Sequence, residues 1–329
     1  MKKYKQPFNI SNSMLEYIAE IMEKIGKLDN FNNLNNLPIL RKNNRINSIH
    51  SSLAIENNKL SLSQVKDVIN GHTVIGPQKE IQEVKNAYKA YELIDNIDPF
   101  SINNLKEIHG IMTYLTIQDS GSFRNNAEGV FDGDKCIFIA PPQSMVTTLI
   151  TELFIWIKET KDIHPLILSS IFHYEFLFIH PFTDGNGRMA RLWQNVLLSK
   201  WKTIFKYIPI ESYIKKYQDE YYKVIAMSHV DGNSNKFIEF MLKTINFSLD
   251  EVILNASTSI NHINEYVTKM LNVMEYNTPM TAYEIMDKLN LKSKETFRKH
   301  YINPAIKANL IALTLMDTPT SKNQRYYKV

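Results

Sequence analysis

Residues 180–191, His-Pro-Phe-Thr-Asp-Gly-Asn-Gly-Arg-Met-Ala-Arg, combine side-chain types suited to phosphate chemistry. Gly185-Asn186-Gly187 lets the backbone turn sharply, because glycine accepts positive φ and asparagine is among the next best. A turn whose N–H groups face inward binds anions. The run that follows, Arg-Met-Ala-Arg-Leu-Trp-Gln-Asn-Val-Leu-Leu, reads as a helix whose N-terminus adds positive partial charge at the same spot. Arg188 and Arg191 lie three residues apart, so both can face one ligand with forks matched to phosphate oxygens. Asp184 can hold Mg²⁺ against those phosphates. His180 ends an apolar run just before the turn, where a general base with a near-neutral pKa belongs. The plainer alternative is a helix–turn–helix junction shaped by two glycines and capped by Asp184. The combination of histidine, phenylalanine, acid, Gly-Asn-Gly and two spaced arginines weighs against it.

Elements able to position these groups are mostly helical. Ile81, Val84, Tyr88, Tyr91 and Ile94 recur at spacings of three and four, as do Ile102, Leu105, Ile108 and Met112, the latter run starting behind a candidate N-cap, Ser101. Met145, Leu149, Leu153 and Trp156 repeat the pattern. Residues 164–180 are apolar nearly all round, which predicts a central buried helix. Asp132-Gly133-Asp134 separates two short β-prone runs that end at Pro141-Pro142, a small hairpin or else an irregular loop. After residues 231–242 a long helix is expected to run to about 270. Residues 279–329 read as two short helices, then strand, turn and strand, the order of a winged helix-turn-helix. The expected division is an N-terminal helical region (1–100), a catalytic core (101–245), a linker helix (246–270) and the winged unit (271–329).

The chain has 329 residues, a net charge of +4 and a single cysteine, Cys136. A disulfide framework and a multi-cysteine metal site are thereby excluded, and a reducing cytoplasm is the expected compartment. The mild charge permits contact with nucleic acid without demanding it. The N-terminus lacks the apolar block of a signal peptide, and the most apolar stretch, 163–182, carries three histidines and a glutamate, so no membrane partner is expected.

Residues 180–191 match, at every specified position, the signature His-x-Phe-x-Asp/Glu-Gly-Asn-Gly-Arg-x-x-Arg, and the chain resembles the Fic family. The similarity extends to Gly-Ser-Phe-Arg at 121–124, Ala-Pro-Pro at 140–142 and residues 219–225, and covers about 45–245. It implies a mainly α, Fic-type helical bundle with a small β-hairpin flap, to which the C-terminal winged helix is a common companion. It also implies transfer of AMP from ATP onto a Ser, Thr or Tyr hydroxyl of a target protein, the chain itself included, with release of pyrophosphate. By motif position His180 would deprotonate the hydroxyl and Asp184 would hold Mg²⁺. Gly185, Asn186 and Gly187 would cradle the phosphates, Asn186 near the α-phosphate, and Arg188 and Arg191 would hold the β- and γ-phosphates. Phe182 would anchor the core. Lys135, Ile137 and Ile139 would belong to a flap that pairs with the target backbone, ordinary burial being the alternative for the two isoleucines. Asn195, Tyr221 and Tyr222 are the nucleobase candidates, with helical packing equally open for the tyrosines. Both glycines are retained, which argues against the family branch that transfers a γ-phosphate.

Upstream, Ser-Ser-Leu-Ala-Ile-Glu-Asn at 51–57 matches the family's inhibitory pattern through Ser52, Glu56 and Asn57. The resemblance implies that Glu56 pairs with Arg191 and fills the space of the γ-phosphate. Two further functions stay open: removal of AMP by the same site with Glu56 orienting water, and a DNA-binding regulator that only senses nucleotide. His164 and His173 are expected to cap a helix or fill the core rather than bind a metal, and His109 and Cys136 have no partners at ligand spacing. Lys294, Arg298 and Lys299, beside Phe297 and Tyr301, suit either DNA phosphates or a solvated basic face. Homodimers that stabilise the inhibited form occur in the family.

Overall fold

The computed structural model describes residues 6–30, 38–127, 129–132, 135–262, 265–275, 278–307, 310–315, 318–319 and 321–328. Two compact units divide the chain. One spans Met1–Glu23 with Asn44–Leu249, the other Lys24–Asn43 with Asp250–Val329. The architecture is mainly α: a helical bundle carrying a two-stranded hairpin, and a C-terminal unit with a three-stranded antiparallel sheet.

The helices run in order α1 (Asn12–Asn30), α2 (Pro38–Ile55), α3 (Leu62–Ile69), α4 (Gln78–Glu92) and α5 (Ile102–Met112). The hairpin β1 (Gly129–Asp132) and β2 (Lys135–Ile139) follows, then α6 (Gln143–Glu159), α7 (Pro165–Ile179), α8 (Asn186–Trp201), α9 (Ile210–Lys216), α10 (Gln218–Asp231) and α11 (Asn235–His262). The expected long helix is described as α11 and α12 (Glu265–Val273); residues 263 and 264 lie outside the described residues.

α7 is the apolar axis of the first unit. Most of its residues are buried, Phe172 and Phe176 fully, and α8 packs along it. Pro165 starts the helix at a position where a missing N–H costs nothing, and the His164 ring accepts the Leu166 N–H as its cap. On α8 the Trp193 indole is fully buried and donates to Pro99 O at 3.1 Å. Ser101 caps α5 by accepting from Asn104 N. On α6 the buried set is Val146, Ile150, Leu153, Phe154 and Ile157, while Met145 is exposed. The stripe through Met145, Leu149, Leu153 and Trp156 is thus rotated by about one residue. The helix carries enough apolar residues for two overlapping stripes, and packing selects one.

β1 and β2 pair antiparallel with a bulge between Val130 and Phe131. The Gly133-Asp134 turn lies outside the described residues, as do the side chains of Lys135, Cys136 and Ile137.

The second unit includes β3 (Met280–Thr281), α13 (Ala282–Lys288), α14 (Lys294–Phe297), a π-helical turn at Arg298–Ile302, α15 (Asn303–Lys307), β4 (Ile311–Leu313) and β5 (Arg325–Lys328), with sheet order β3-β5-β4. Thr281 and Glu284 form a capping box at α13. Phe297 and Tyr301 are buried in this unit's own core, whereas Lys294, Arg298 and Lys299 are exposed. The two aromatics therefore do not share the basic face. Among the described residues no helix is long and apolar enough to cross a membrane.

Candidate active site

The junction between α7 and α8 is built from backbone that ordinary residues avoid. His180 ends α7 in the left-handed region, at φ 51° and ψ 59°. Gly185 sets the start of α8 at φ 82°, and a Cβ there would press on Thr113 Cγ2 at 3.1 Å. Neither conformation is common for a residue with a side chain, so the loop between them needs outside support.

That support is dense. The Asn186 side chain accepts the Phe182 N–H at 2.9 Å and donates to Phe182 O at 2.7 Å, so its amide staples the loop. Phe182 is fully buried and stacks on the His109 ring, centroids 3.6 Å apart. His109 Nδ1 accepts the Gly121 N–H at 2.9 Å, which leaves Nε2–H to donate to Asp184 O at 2.9 Å. Burial pushes the His109 pKa down to about 4, so the ring keeps this single tautomer near neutrality. No local spacing pointed to His109, because its partners lie 12 and 75 residues away in the chain.

Asp184 is half-exposed. Its Oδ1 accepts the Gly185 N–H at 2.5 Å and Arg188 NH2 at 3.0 Å. Burial works against the carboxylate's charge, but Arg188 and the Gly185 N–H outweigh it and hold the pKa below the usual range. Arg188 also lies 3.7 Å from Glu83, which accepts from Asn58 Nδ2 at 2.8 Å.

Arg191 is buried. Its Nε donates to Ser52 Oγ at 3.0 Å, and its NH2 donates to Ser52 O at 3.0 Å and to Glu56 Oε1 at 2.7 Å. Burial disfavours its charge, but the facing Glu56 carboxylate more than compensates and raises the pKa. Glu56 is aimed by the end of α2. Asn57 N–H reaches Ala54 O, Asn58 N–H reaches Leu53 O, and Asn57 takes φ 66°, the Schellman arrangement in which the last position must tolerate the left-handed region. That explains in backbone terms why asparagine follows the glutamate. Lys215, Gln218 and Tyr222 donate to Ala54 O or Ile55 O and cap the same helix end. A buried acid, Glu211, accepts from Ser48 and Tyr91 behind it.

Four buried polar atoms on this face of α8 have no hydrogen-bond partner: Arg188 Nε and NH1, Arg191 NH1 and Asn195 Oδ1. Each such atom costs roughly 1–3 kcal/mol unless a ligand or water meets it. Tyr221, in contrast, is fully buried and donates to His173 Nε2 at 2.9 Å, whereas Tyr222 is 47% exposed. Of the hairpin residues, Ile139 is 74% exposed and Phe138 stacks on His229. The structure thus gathers Ser52, Glu56, Gly187 and Arg191 at one point, with Asp184 and Arg188 beside them.

The Fic/DOC family model matches residues 99–198, and the model of the Fic-like C-terminal domain (filamentation induced by cAMP protein) matches 265–327. A solved Fic family protein from Desulfovibrio desulfuricans G20 is 37% identical, with a TM-score of 0.75 over 99% of this chain and 98% of that one. Fic-1 from C. elegans (aa134–508) shares the fold at 22% identity, TM-score 0.61, covering 74% of each chain. The protein adenylyltransferase Fic of Nematostella vectensis is 26% identical over 68% of this chain and 52% of its own length; that of Culex quinquefasciatus is 26% identical over 66% and 43%. The chain spans about half the length of the curated relatives it matches.

Proposed function

Because this chain belongs to the Fic family, we propose that it is a protein adenylyltransferase held at rest by Glu56. The observation that carries this is the set of buried guanidinium and amide atoms on α8 that lack a hydrogen bond, with Arg191 occupied by an internal carboxylate. A buried pair of clamps, one shut by an acid from an upstream helix, suits a polyphosphate that must displace that acid.

The reaction follows from the groups at hand. A Ser, Thr or Tyr hydroxyl oxygen bonds to the α-phosphorus of ATP, the bond to the bridging oxygen breaks, and pyrophosphate leaves. His180 takes the hydroxyl proton. Its left-handed backbone ends α7 five residues before Gly185, so a base at this position would stand beside the turn. Gly187 and the N-terminus of α8 receive the phosphates, and Arg188 and Arg191 hold the β- and γ-groups. Asp184 fits a magnesium ion. It is ionised and half-exposed, and no cluster of three His, Cys, Asp or Glu able to hold a metal exists among the described residues. A single carboxylate plus phosphate oxygens is the way Mg²⁺ is usually held. When bound, Mg²⁺ would offset charge on the phosphates. Asn195, whose Oδ1 lacks a hydrogen bond, and the half-exposed Tyr222 are retained as nucleobase candidates, and the edge of β2 around Ile139 would align the target backbone.

Mass spectrometry of the Glu56→Gly protein, incubated with each NTP and Mg²⁺, tests the proposal. An added AMP on a hydroxyl residue is expected. Absence of any nucleotide adduct on the chain and on a panel of proteins, with ATP bound, would overturn it.

A further inference from the structure

Arg124 is buried, and its whole guanidinium is turned on main-chain oxygens. Nε donates to His180 O at 2.7 Å, NH1 to Asn126 O at 2.7 Å, and NH2 to Pro141 O at 2.5 Å and Ile179 O at 3.4 Å. Its own N–H reaches Pro181 O at 2.9 Å. Two of these oxygens close the end of α7, where carbonyls lack intrahelical partners and a cation is favoured. Pro141 follows β2 by two residues. One planar fork therefore ties the root of the hairpin to the backbone of the residue assigned as base. A lysine ammonium, a point donor, cannot hold three segments at fixed angles.

We propose that Arg124 is a positioning residue that sets the distance between the target-docking hairpin and His180. The inference rests on the function proposed above. The hydrogen bonds described for Arg124 run to main-chain oxygens of residues 126, 141 and 179–181, outside the proposed phosphate-binding segment 184–191. Its loss should therefore separate hydroxyl transfer from nucleotide binding. A misplacement on the order of 1 Å can lower a rate about 100-fold.

The test uses the full chain with Glu56→Gly, alone and with Arg124→Ala or Arg124→Lys. ATP affinity is measured by calorimetry, AMP transfer by labelled ATP, and amide exchange over 138–140 and 179–182. The expected result is ATP affinity within about twofold, transfer down about 100-fold in Arg124→Ala, and faster exchange in both segments together. Arg124→Lys, which keeps charge and most of the bulk, should show the same coupled exchange with a smaller rate loss. Unchanged transfer, or ATP affinity falling as far as transfer, overturns the inference. If the parent protein transfers nothing, the proposed function fails separately, and exchange still decides the coupling: a rise in one segment alone overturns it.

Discussion

Arg191 donates to Glu56 at 2.7 Å directly above Gly187, where an added Cβ would collide with the same carboxylate oxygen. The acid therefore lies against the backbone at Gly187, where the proposed reaction needs a phosphate. Replacing Glu56 with glycine clears that space while Ser52 continues to orient Arg191 from behind. Transfer of labelled AMP should rise at least about tenfold, since 1.4 kcal/mol of released competition is enough for that factor. A Glu56→Gly protein that binds ATP yet transfers no faster than the parent would contradict the resting-state role.

The collision at Gly187 makes a second, independent prediction. Gly187 is helical, and alanine there would ordinarily gain up to about 1 kcal/mol. With Glu56 in place the new methyl must push the carboxylate off Arg191, so the gain should vanish or reverse. In the Glu56→Gly background only the Arg191 NH1 contact at 3.0 Å remains, so the substitution should be clearly less costly there. Denaturant unfolding of the four proteins measures the coupling between the two sites. Equal effects of Gly187→Ala in both backgrounds would mean that Glu56 does not occupy the turn.

His180 carries backbone strain where its side chain is proposed to act. A residue with a Cβ at φ 51° gives up on the order of 1 kcal/mol relative to glycine. Both His180→Gly and His180→Ala should lose transfer by several orders of magnitude. Stability should separate them: the glycine variant should be at least as stable as the parent, the alanine variant not. Residual transfer in either protein near the parent rate would remove His180 as the base.

The helices were legible because their signals are local. Ser101 caps where its hydroxyl precedes a periodic run, and α7 is buried because it is apolar on every side. Residues 180–191 could be read as one candidate site because its elements are consecutive. The contacts of His109 and Arg124 were not legible, since each acts on oxygens supplied by distant parts of the chain, and no spacing encodes that. Tyr221 illustrates the reverse limit. Position offered it for nucleobase contact, but its ring fills the core against Phe237 and Phe240. The α6 stripe slipped by about one residue for a related reason: a helix with surplus apolar residues leaves the choice of face to its neighbours.

The same buried network predicts how stability depends on pH. His173 has no exposed surface. It donates from Nδ1 to Gln194 at 2.6 Å and accepts from Tyr221, so neither nitrogen has room for a second proton. Burial pushes its pKa down to about 3, and the Arg191 charge adds to this against the Gln194 bond. The folded ring therefore stays neutral over a range in which an unfolded histidine, near 6.5, takes up a proton. The unfolded state binds more protons in that window, so stability falls as pH drops from about 6.5 toward 3, by on the order of 1.4 kcal/mol per pH unit for one such group. His229, lowered to about 4 by burial, steepens the upper part of the same window. Urea unfolding between pH 4.5 and 7.5 should show this fall, and His173→Gln should flatten it by about one proton even though it lowers stability at pH 7. An unchanged slope in His173→Gln would show that His173 is protonated in the folded protein, and that the Gln194–His173–Tyr221 bridge between α7, α8 and α10 does not hold in solution.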